Sequence, residues 1–427
     1  MGNATRVNGE APPDVPLADA KLGSLSFWGK DDEFRDGAFA TLRRESPVTF
    51  FKEIRFEGFD PGPGHWALTR YDDVHFASRH PDIFSSHPNI TIADQLPEVA
   101  EYFGSMIALD DPRHARLRGI VRSAFTPKVV ARTEDSVRER ARRLVDDLIV
   151  NHPDGRGELV NELSGPLPLQ VICDMMGIPE GDHDQIFHWT NVILGFGDPD
   201  ISTDHEEFIK IAFDIGAYAT ALAEDRRANP RDDLTTALVA AEVDGERLTS
   251  AEIASFFILL AVAGNETTRN AISHGVLALT RYPEQRDIWW RDFDRHTPTA
   301  VEEIVRWASP VIYMRRTATR DVVVGDVQIK QGDKVTMWYG SANRDEQHFV
   351  NPWLFDVTRN PNHHVGFGGG GTHFCLGANL ARREIAVVFD ELYRRIPDIV
   401  ATEEPSMLLS AFIHGIKRLP VSWTPPA

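Results

Sequence analysis

One stretch concentrates reactive side chains: VGFGGGGTHFCLGANLARRE, from Val365 to Glu384, in which four consecutive glycines precede His373 and Cys375. Cys375 falls where helical periodicity resumes. The first free N–H groups of that helix therefore point at its sulfur and favour a thiolate over a thiol. The glycines carry no Cβ and let the backbone lie close to something flat or bulky. From the residues, three chemistries are open: a buried cysteine at a helix start, a cysteine nucleophile with His373 as its base, and a single thiolate ligand to haem iron. A phosphate loop fits less well, because the Lys-Ser/Thr pair that follows such glycines is absent. The other cysteine, Cys173, lies in the apolar run VICDMM without glycines or donors, and reads as a structural residue.

A second constellation interrupts an apolar helix. Residues 253 to 263 are apolar nearly all round and are followed by Gly264, Asn265, Glu266, Thr267 and Thr268. Polar groups in the middle of a buried helix are costly unless satisfied or used. A helical threonine more often bonds back to a carbonyl one turn earlier. The spacing Glu-x-x-Arg recurs at Glu139/Arg142, Glu224/Arg227, Glu266/Arg269, Glu303/Arg306 and Glu391/Arg394. Most such pairs are exposed helix ion pairs worth a few tenths of a kcal/mol. Glu303 and Arg306 differ by standing between the long helix and a β-rich run.

The elements that must position these groups are mainly helical. Thr249 with Glu252 forms a capping box, and the pattern it opens runs to Arg281, about 45 to 50 Å of helix that must cross the molecule. Further helices are expected at 137 to 150, 167 to 179, through 183 to 229, at 299 to 308 and from Leu376 to Ile396. Strands are expected as a hairpin, 48 to 56 with 65 to 71, and in the run 321 to 340. The region from there to about 374 reads as irregular. Residues 1 to 20, with Pro12, Pro13 and Pro16, read as an extended arm, and 21 to 427 as a single domain. This fold class is mainly α with a small β portion; the strands are too few and scattered for a doubly wound sheet.

Composition sets limits on partners. A net charge of -19 argues against nucleic acid, because a negative field opposes phosphate binding. The longest apolar run, 253 to 264, falls short of the ~20 residues that span a bilayer, so no membrane span is expected. Two cysteines and an N-terminus without a basic-then-apolar pattern point to a soluble protein of the cytoplasm.

The loop FGGGGTHFCLGANLAR resembles the haem-binding loop of cytochromes P450, in which the cysteine is the proximal ligand of the iron. The family pattern places a phenylalanine seven residues before that cysteine; here Gly368 stands there and Phe367 lies eight before. The resemblance implies a P450 fold with the long helix crossing a haem b, and Cys375 as the thiolate on its iron. It implies haem contacts from Phe367, Gly369, Gly377 and Ala263, and propionate contacts from His114, Arg118, Arg316 and His373. Ala263 and Gly264 would leave room for dioxygen, with Glu266 and Thr267 as the acid and hydroxyl that deliver protons. Glu303 and Arg306, completed by Arg359, would brace the irregular region that presents Cys375.

The implied activity is monooxygenation of an unactivated C–H bond. Electrons would come from NAD(P)H through a ferredoxin and a ferredoxin reductase, since the chain has no flavin or nicotinamide fingerprint. Arg116, Lys128, Arg382 and Arg383 are candidates for the docking face of that partner. Stretches from GSMIALDDPRH to FIHGIK are similar to mycobacterial-type P450s that oxidise terminal methyls of methyl-branched lipids and sterol side chains. That similarity places Ile90, Ile92, Phe103, Ile107, Leu194, Phe208, Val262 and Phe412 at the substrate. Other members act on a steroid nucleus, and a haem-thiolate sensor without turnover would keep Cys375 and the propionate contacts. A monomer is expected.

Overall fold

A computed structural model describes residues 7–55, 61–94, 105–122, 125, 134–243 and 246–425. Its axis is the helix Ser250–Arg281. The capping box is present: the Glu252 amide donates to Thr249 Oγ1 at 3.1 Å, and the Thr249 amide to Glu252 Oε2 at 3.0 Å. This helix packs against Pro166–Met176, His205–Ala228, Phe293–Ala308 and Ala378–Arg395. One close approach requires glycine, because a Cβ on Gly275 would stand 2.7 Å from the Phe389 ring. The helical core closes around these contacts, with Trp289, Phe256, Phe257 and Phe389 almost wholly buried.

The β portion is a five-stranded mixed sheet in the order Val48–Phe51, His65–Leu68, Lys334–Trp338, Tyr313–Ala318, Phe84–Ser85. The expected hairpin forms with Val48 opposite Leu68, and Lys334–Trp338 adds to it in parallel. Tyr313–Ala318 is a strand that the sequence pattern does not announce. Two arginines break its alternation, and both are buried because they serve polar partners inside the protein rather than solvent. The helix expected from 299 begins earlier, at Phe293, with Pro298 inside it. Thr297 Oγ1 donates to the Phe293 carbonyl at 2.6 Å. The N-terminal arm, from residue 7, is docked rather than free: Val15 is buried, and Thr41 donates to its carbonyl at 2.7 Å.

Between Ala342 and Ala378 the chain has neither helix nor strand. Glu303 and Arg306, both fully buried, hold it. Arg306 Nε and Nη2 donate to the two Glu303 oxygens, each at 2.8 Å, while its Nη1 donates to the carbonyls of Asn343 and Pro352. Arg359 Nε adds a bond to Glu303 Oε2 at 3.1 Å, and its other nitrogens reach the carbonyls of Val350, Asn351 and Leu354. Burial would raise the Glu303 carboxyl, but the two guanidinium groups hold it below its ordinary value. The pair Glu266/Arg269 is also buried, unlike the exposed helix pairs that this spacing usually makes.

Removing one partner of a buried, fully bonded pair leaves the other charge uncompensated, at a cost of about 3–5 kcal/mol. Arg306→Ala is therefore expected to lower folding stability by about that amount, and Arg359→Ala, whose site is nearer the surface, by less. Chemical denaturation followed by intrinsic fluorescence checks both; equal small losses would show that the brace carries little.

Candidate functional site

The loop before Cys375 closes on itself: the Cys375 amide donates to the Phe367 carbonyl at 2.9 Å, and the Gly368 amide to Val365 at 2.9 Å. Gly368, Gly370 and Gly371 have φ of 97°, 84° and 80°, which L side chains rarely adopt. The glycine run also packs on the helix Tyr71–Arg79. A Cβ on Gly369 would lie 2.8 Å from Ser78 Cβ, and one on Gly371 would lie 2.5 Å from the Ser78 carbonyl oxygen. Ser78 Oγ donates to the Gly370 carbonyl at 2.8 Å. Gly369 is thus a packing residue outside the cavity wall, and the expectation that it faces a cofactor is corrected; Gly366, Gly368 and Gly377 line the cavity. Phe367 still reaches the cavity, with the Arg382 guanidinium 4.4 Å from its ring centre.

Cys375 opens onto this cavity and is enclosed by protein elsewhere. Burial pushes its thiol up, against the N–H groups of Gly377 and Ala378 and the Arg118 and Arg382 guanidiniums. The helix start expected at Leu376 lies at Ala378, with Gly377 as its N-cap. His373 is not a base for the sulfur. Its Nε2 lies 3.0 Å from Ser86 Oγ, its ring centre lies 4.1 Å from that of His114 with the planes tilted by 34°, and burial with nearby cations lowers it to about 2. The nucleophile reading therefore fails. Cys173 is fully buried and pushed up to about 12 by desolvation, as an inert structural thiol should be.

His114, Arg118, Arg316 and His373 converge on one side of the cavity. Arg316 is buried, and its guanidinium bonds the Arg315 carbonyl at 2.8 Å. Arg118 donates to the Phe374 carbonyl at 2.5 Å. Among the described residues no carboxylate pairs with Arg118 or Arg316. The His114 Nε2 atom is buried without a partner, while its Nδ1 faces Asp111 at 3.1 Å. A buried guanidinium on Arg316 and a half-buried one on Arg118, both held without counter-anions, are costly unless an anion joins them.

The central helix forms the opposite wall through Ala263, Gly264, Thr267 and Thr268. Thr267 does bond back, its hydroxyl donating to the Ala263 carbonyl at 2.9 Å, yet it also lines the cavity. Glu266 does not line it. Its carboxylate pairs with Arg269 and accepts from Asn270 Nδ2 at 2.9 Å, while Oε2 has no partner. Glu266 thus stands behind the cavity wall, one residue from Thr267, which does line it. Sequence reasoning missed Glu384, a buried acid in the cavity wall that burial pushes up to about 8, with the Thr268 hydroxyl bonded to it. Its only signal was an acid nine residues beyond the cysteine, on what would be a buried helix face.

Next to this cavity lies an outer chamber that shares Ile107 and Leu259 with it. Ile90, Ile92, Ile107, Leu194, Phe208, Val262 and Phe412 all line this chamber. Phe103 lies outside the described residues. The suggested docking cations are not free: Arg382 pairs with Glu302 at 2.5 Å and Arg383 with Glu134 at 2.9 Å. Arg116 is half-buried, and Lys128 lies outside the described residues.

Among the described residues no three His, Cys, Asp or Glu side chains cluster to chelate an ion, so a metal at Cys375 must bring ligands of its own. A flat macrocycle with two carboxylates fits the cysteine, the glycine-lined wall and the unpaired cations of the cavity. Its iron would offset the burial that opposes a Cys375 thiolate, and its propionates would meet Arg118, Arg316 and the unpartnered His114 nitrogen. Fold and site together define a haem-thiolate oxidoreductase.

Comparison with known proteins agrees. The Cytochrome P450 family model matches residues 295–395. The chain is 72% identical over 421 residues to a methyl-branched lipid omega-hydroxylase of Mycobacterium tuberculosis, covering 99% of this chain and 98% of that protein. It is 40% identical to a steroid C26-monooxygenase of the same species, over 92% of both chains. A Mycobacterium marinum cytochrome P450 solved in complex with pseudoionone superposes with a TM-score of 0.91, at 41% identity, over 96% of this chain and 99% of that one. The chain belongs to the cytochrome P450 family. None of its described helices is long and apolar enough to cross a membrane.

Arg316→Ala and Arg118→Ala are each expected to speed haem loss by about tenfold or more, as losing one charge-assisted hydrogen bond of about 1.5–3 kcal/mol requires. Transfer of haem to apomyoglobin measures this, and unchanged rates would remove the propionate role. Glu384 is tested through pH. Its pKa is about 8 when folded against an ordinary 4.5, so its contribution to stability is full below 4.5 and is lost as pH rises through 8. Glu384→Gln should flatten the fall in thermal midpoint between those pH values.

Proposed function

We propose that this protein is a monooxygenase that hydroxylates the terminal methyl of methyl-branched lipids, fatty acids and isoprenoids among them. The observation that carries this reading is the apolar chamber that joins the Thr267 side of the cavity through Ile107 and Leu259. A primary C–H bond is stronger than its secondary neighbours, so attack there requires a channel that presents a chain end. The 72% identity to an enzyme named for this activity supports the same reading.

When bound, haem b supplies dioxygen activation, with one oxygen atom entering the substrate and two electrons and two protons converting the other to water. The chain does the rest. Cys375 would hold the iron through sulfur, and Arg118, Arg316, His114 and His373 would hold the propionates. Ala263 and Gly264 would leave space for dioxygen, with the Thr267 hydroxyl in the cavity wall and Glu266 behind it as the groups that deliver protons. Ile90, Ile92, Leu194, Phe208, Val262 and Phe412 grip the hydrocarbon, and Phe103 is assigned the same role. Electrons come from NAD(P)H through a ferredoxin and its reductase, and the protein acts as a cytoplasmic monomer. Sterol side chains form a second substrate group, favoured by the 40% identity to a steroid C26-monooxygenase. A sensor without turnover would have little need of Thr267 in the cavity wall.

The reduced, carbon-monoxide-treated protein should show the red-shifted Soret band of thiolate haem, and Cys375→Ala should abolish it. Thr267→Ala should consume oxygen with much less product formed; a fully coupled variant would contradict its role. Product analysis with chains bearing or lacking a terminal methyl branch should show faster ω-hydroxylation of the branched set.

A further inference from the structure

The outer chamber has two walls that belong to different parts of the fold. Leu194 and Phe196, at the end of the helix His183–Gly195 and just after it, form one wall. The other is the turn between the short strands Ser406–Met407 and Ile416–Arg418, which contributes Leu409, Ala411 and Phe412. Phe196 packs on Phe208 with ring centres 5.0 Å apart, and Phe412 packs on Tyr313 at 5.4 Å. Apolar packing thus holds each wall to its own neighbours. Being non-directional, it does not fix the distance across the chamber between them.

One side chain reaches from the first wall to the second. Asp198, two residues beyond Phe196 and fully buried, accepts the Leu409 amide on Oδ2 at 2.7 Å. Its Oδ1 accepts Lys417 Nζ at 2.9 Å and the Asp200 amide at 2.8 Å. Lys417 lies on the strand that leaves the turn and also pairs with Asp200 at 2.6 Å. The Asp198 carbonyl accepts the Ile201 and Ser202 amides, which fixes the residue in its own loop. The far end of the 408–415 turn is held separately. His414 Nδ1 lies 2.7 Å from the Ala308 carbonyl oxygen, and the Ile312 amide donates to the Phe412 carbonyl at 2.9 Å.

A carboxylate this deeply buried is costly unless its oxygens are bonded and its charge is paired. Asp198 meets both conditions when the Leu409 amide and the Lys417 ammonium reach it together. Those two groups flank the turn, so the carboxylate selects one distance between the walls. A chain end is presented to the reacting centre only if the walls hold the chain at a fixed spacing.

We propose that Asp198 is a positioning residue that sets the width of the outer chamber and, through it, the selection of the terminal carbon of the substrate. The inference rests on the branched-lipid reading above and deepens it. Asp198 is not part of the chamber wall. It acts through Leu409 and Phe412 rather than by touching the hydrocarbon.

The test compares two iron ligands on the holoenzyme, read by the Soret shift: imidazole, and N-dodecylimidazole, whose tail must run into the chamber. Asp198→Ala removes the acceptor for the Leu409 amide and the partner of Lys417. It should weaken the tailed ligand about tenfold relative to imidazole, the scale of one charge-assisted hydrogen bond. With a methyl-branched fatty acid as substrate, the same variant should move hydroxylation from the terminal methyl to the carbons beside it. Should Asp198→Ala fail to hold haem, Asp198→Asn keeps the volume and an acceptor, and the ligand ratio should fall about threefold. An unchanged ratio in the variant that holds haem, even with a lowered thermal midpoint, would show a merely structural role and overturn the proposal. A lowered ratio with unaltered product positions would overturn it as well. If wild type itself leaves the terminal methyl untouched, the branched-lipid reading fails, and the ligand ratio still decides whether Asp198 sets the chamber.

Discussion

The chain from Ala342 to Ala378 has no repeating backbone hydrogen bonds, yet it must hold one sulfur atom in a fixed place inside the protein. What makes that possible is the buried group of Glu303, Arg306 and Arg359. Two guanidiniums offer more donors than one carboxylate can accept, and the surplus goes to five backbone carbonyls of the irregular segment, from residues 343, 350, 351, 352 and 354. An ion pair that is expensive to bury therefore supplies partners that the absent helix or strand would have supplied. The helix Phe293–Ala308 that carries Glu303 and Arg306 also packs against the cysteine helix Ala378–Arg395. The brace and the ligand are thus positioned by the same contact.

Charge in the cavity is arranged with the same economy. Arg118 and Arg316 are held without carboxylate partners on the side where propionates would lie, and His373 is kept neutral by burial and the cations around it. On the cysteine side, Glu302 is bonded by His364 and Arg382, and despite burial these hold it at about 2. Arg382 in turn covers the ring of Phe367. The field at Cys375 thus comes from the helix N–H groups and from the Arg118 and Arg382 guanidiniums, of which only Arg382 has a carboxylate partner among the described residues. The acid of the central helix, Glu266, is likewise tied to Arg269 behind the cavity wall, so that helix presents leucines, small residues and hydroxyls but no charge to the cavity.

Much of this arrangement is legible in the sequence, for identifiable reasons. The capping box at Thr249 and the long apolar run define the central helix, because capping and periodicity are local properties. The glycine run with His373 and Cys375 marks the sulfur loop, because positive φ and a helix start leave direct marks on residue type. The strand Tyr313–Ala318 is hidden because its buried arginines break the alternation that a half-exposed strand would show. Gly369 is misleading for a related reason: glycine marks a close approach without saying to what, and here Ser78 is the neighbour. Glu384 leaves no pattern, since a lone acid on a helix shows neither burial nor pKa until its neighbours are known.

The sequence by itself determined which groups could do chemistry: one cysteine at a helix start, a hydroxyl and small residues in an apolar helix, and a set of cations spread across some 260 positions from His114 to His373. These follow from residue type and near-neighbour spacing, which the chain carries within itself. Only the tertiary structure decided which of them meet. It brought His114, Arg118, Arg316 and His373 to one wall, turned Glu266 away from the cavity, and paired Arg382 and Arg383 with acids. Those outcomes depend on long-range packing and on the balance of desolvation against pairing, and both are properties of the assembled fold rather than of any local segment.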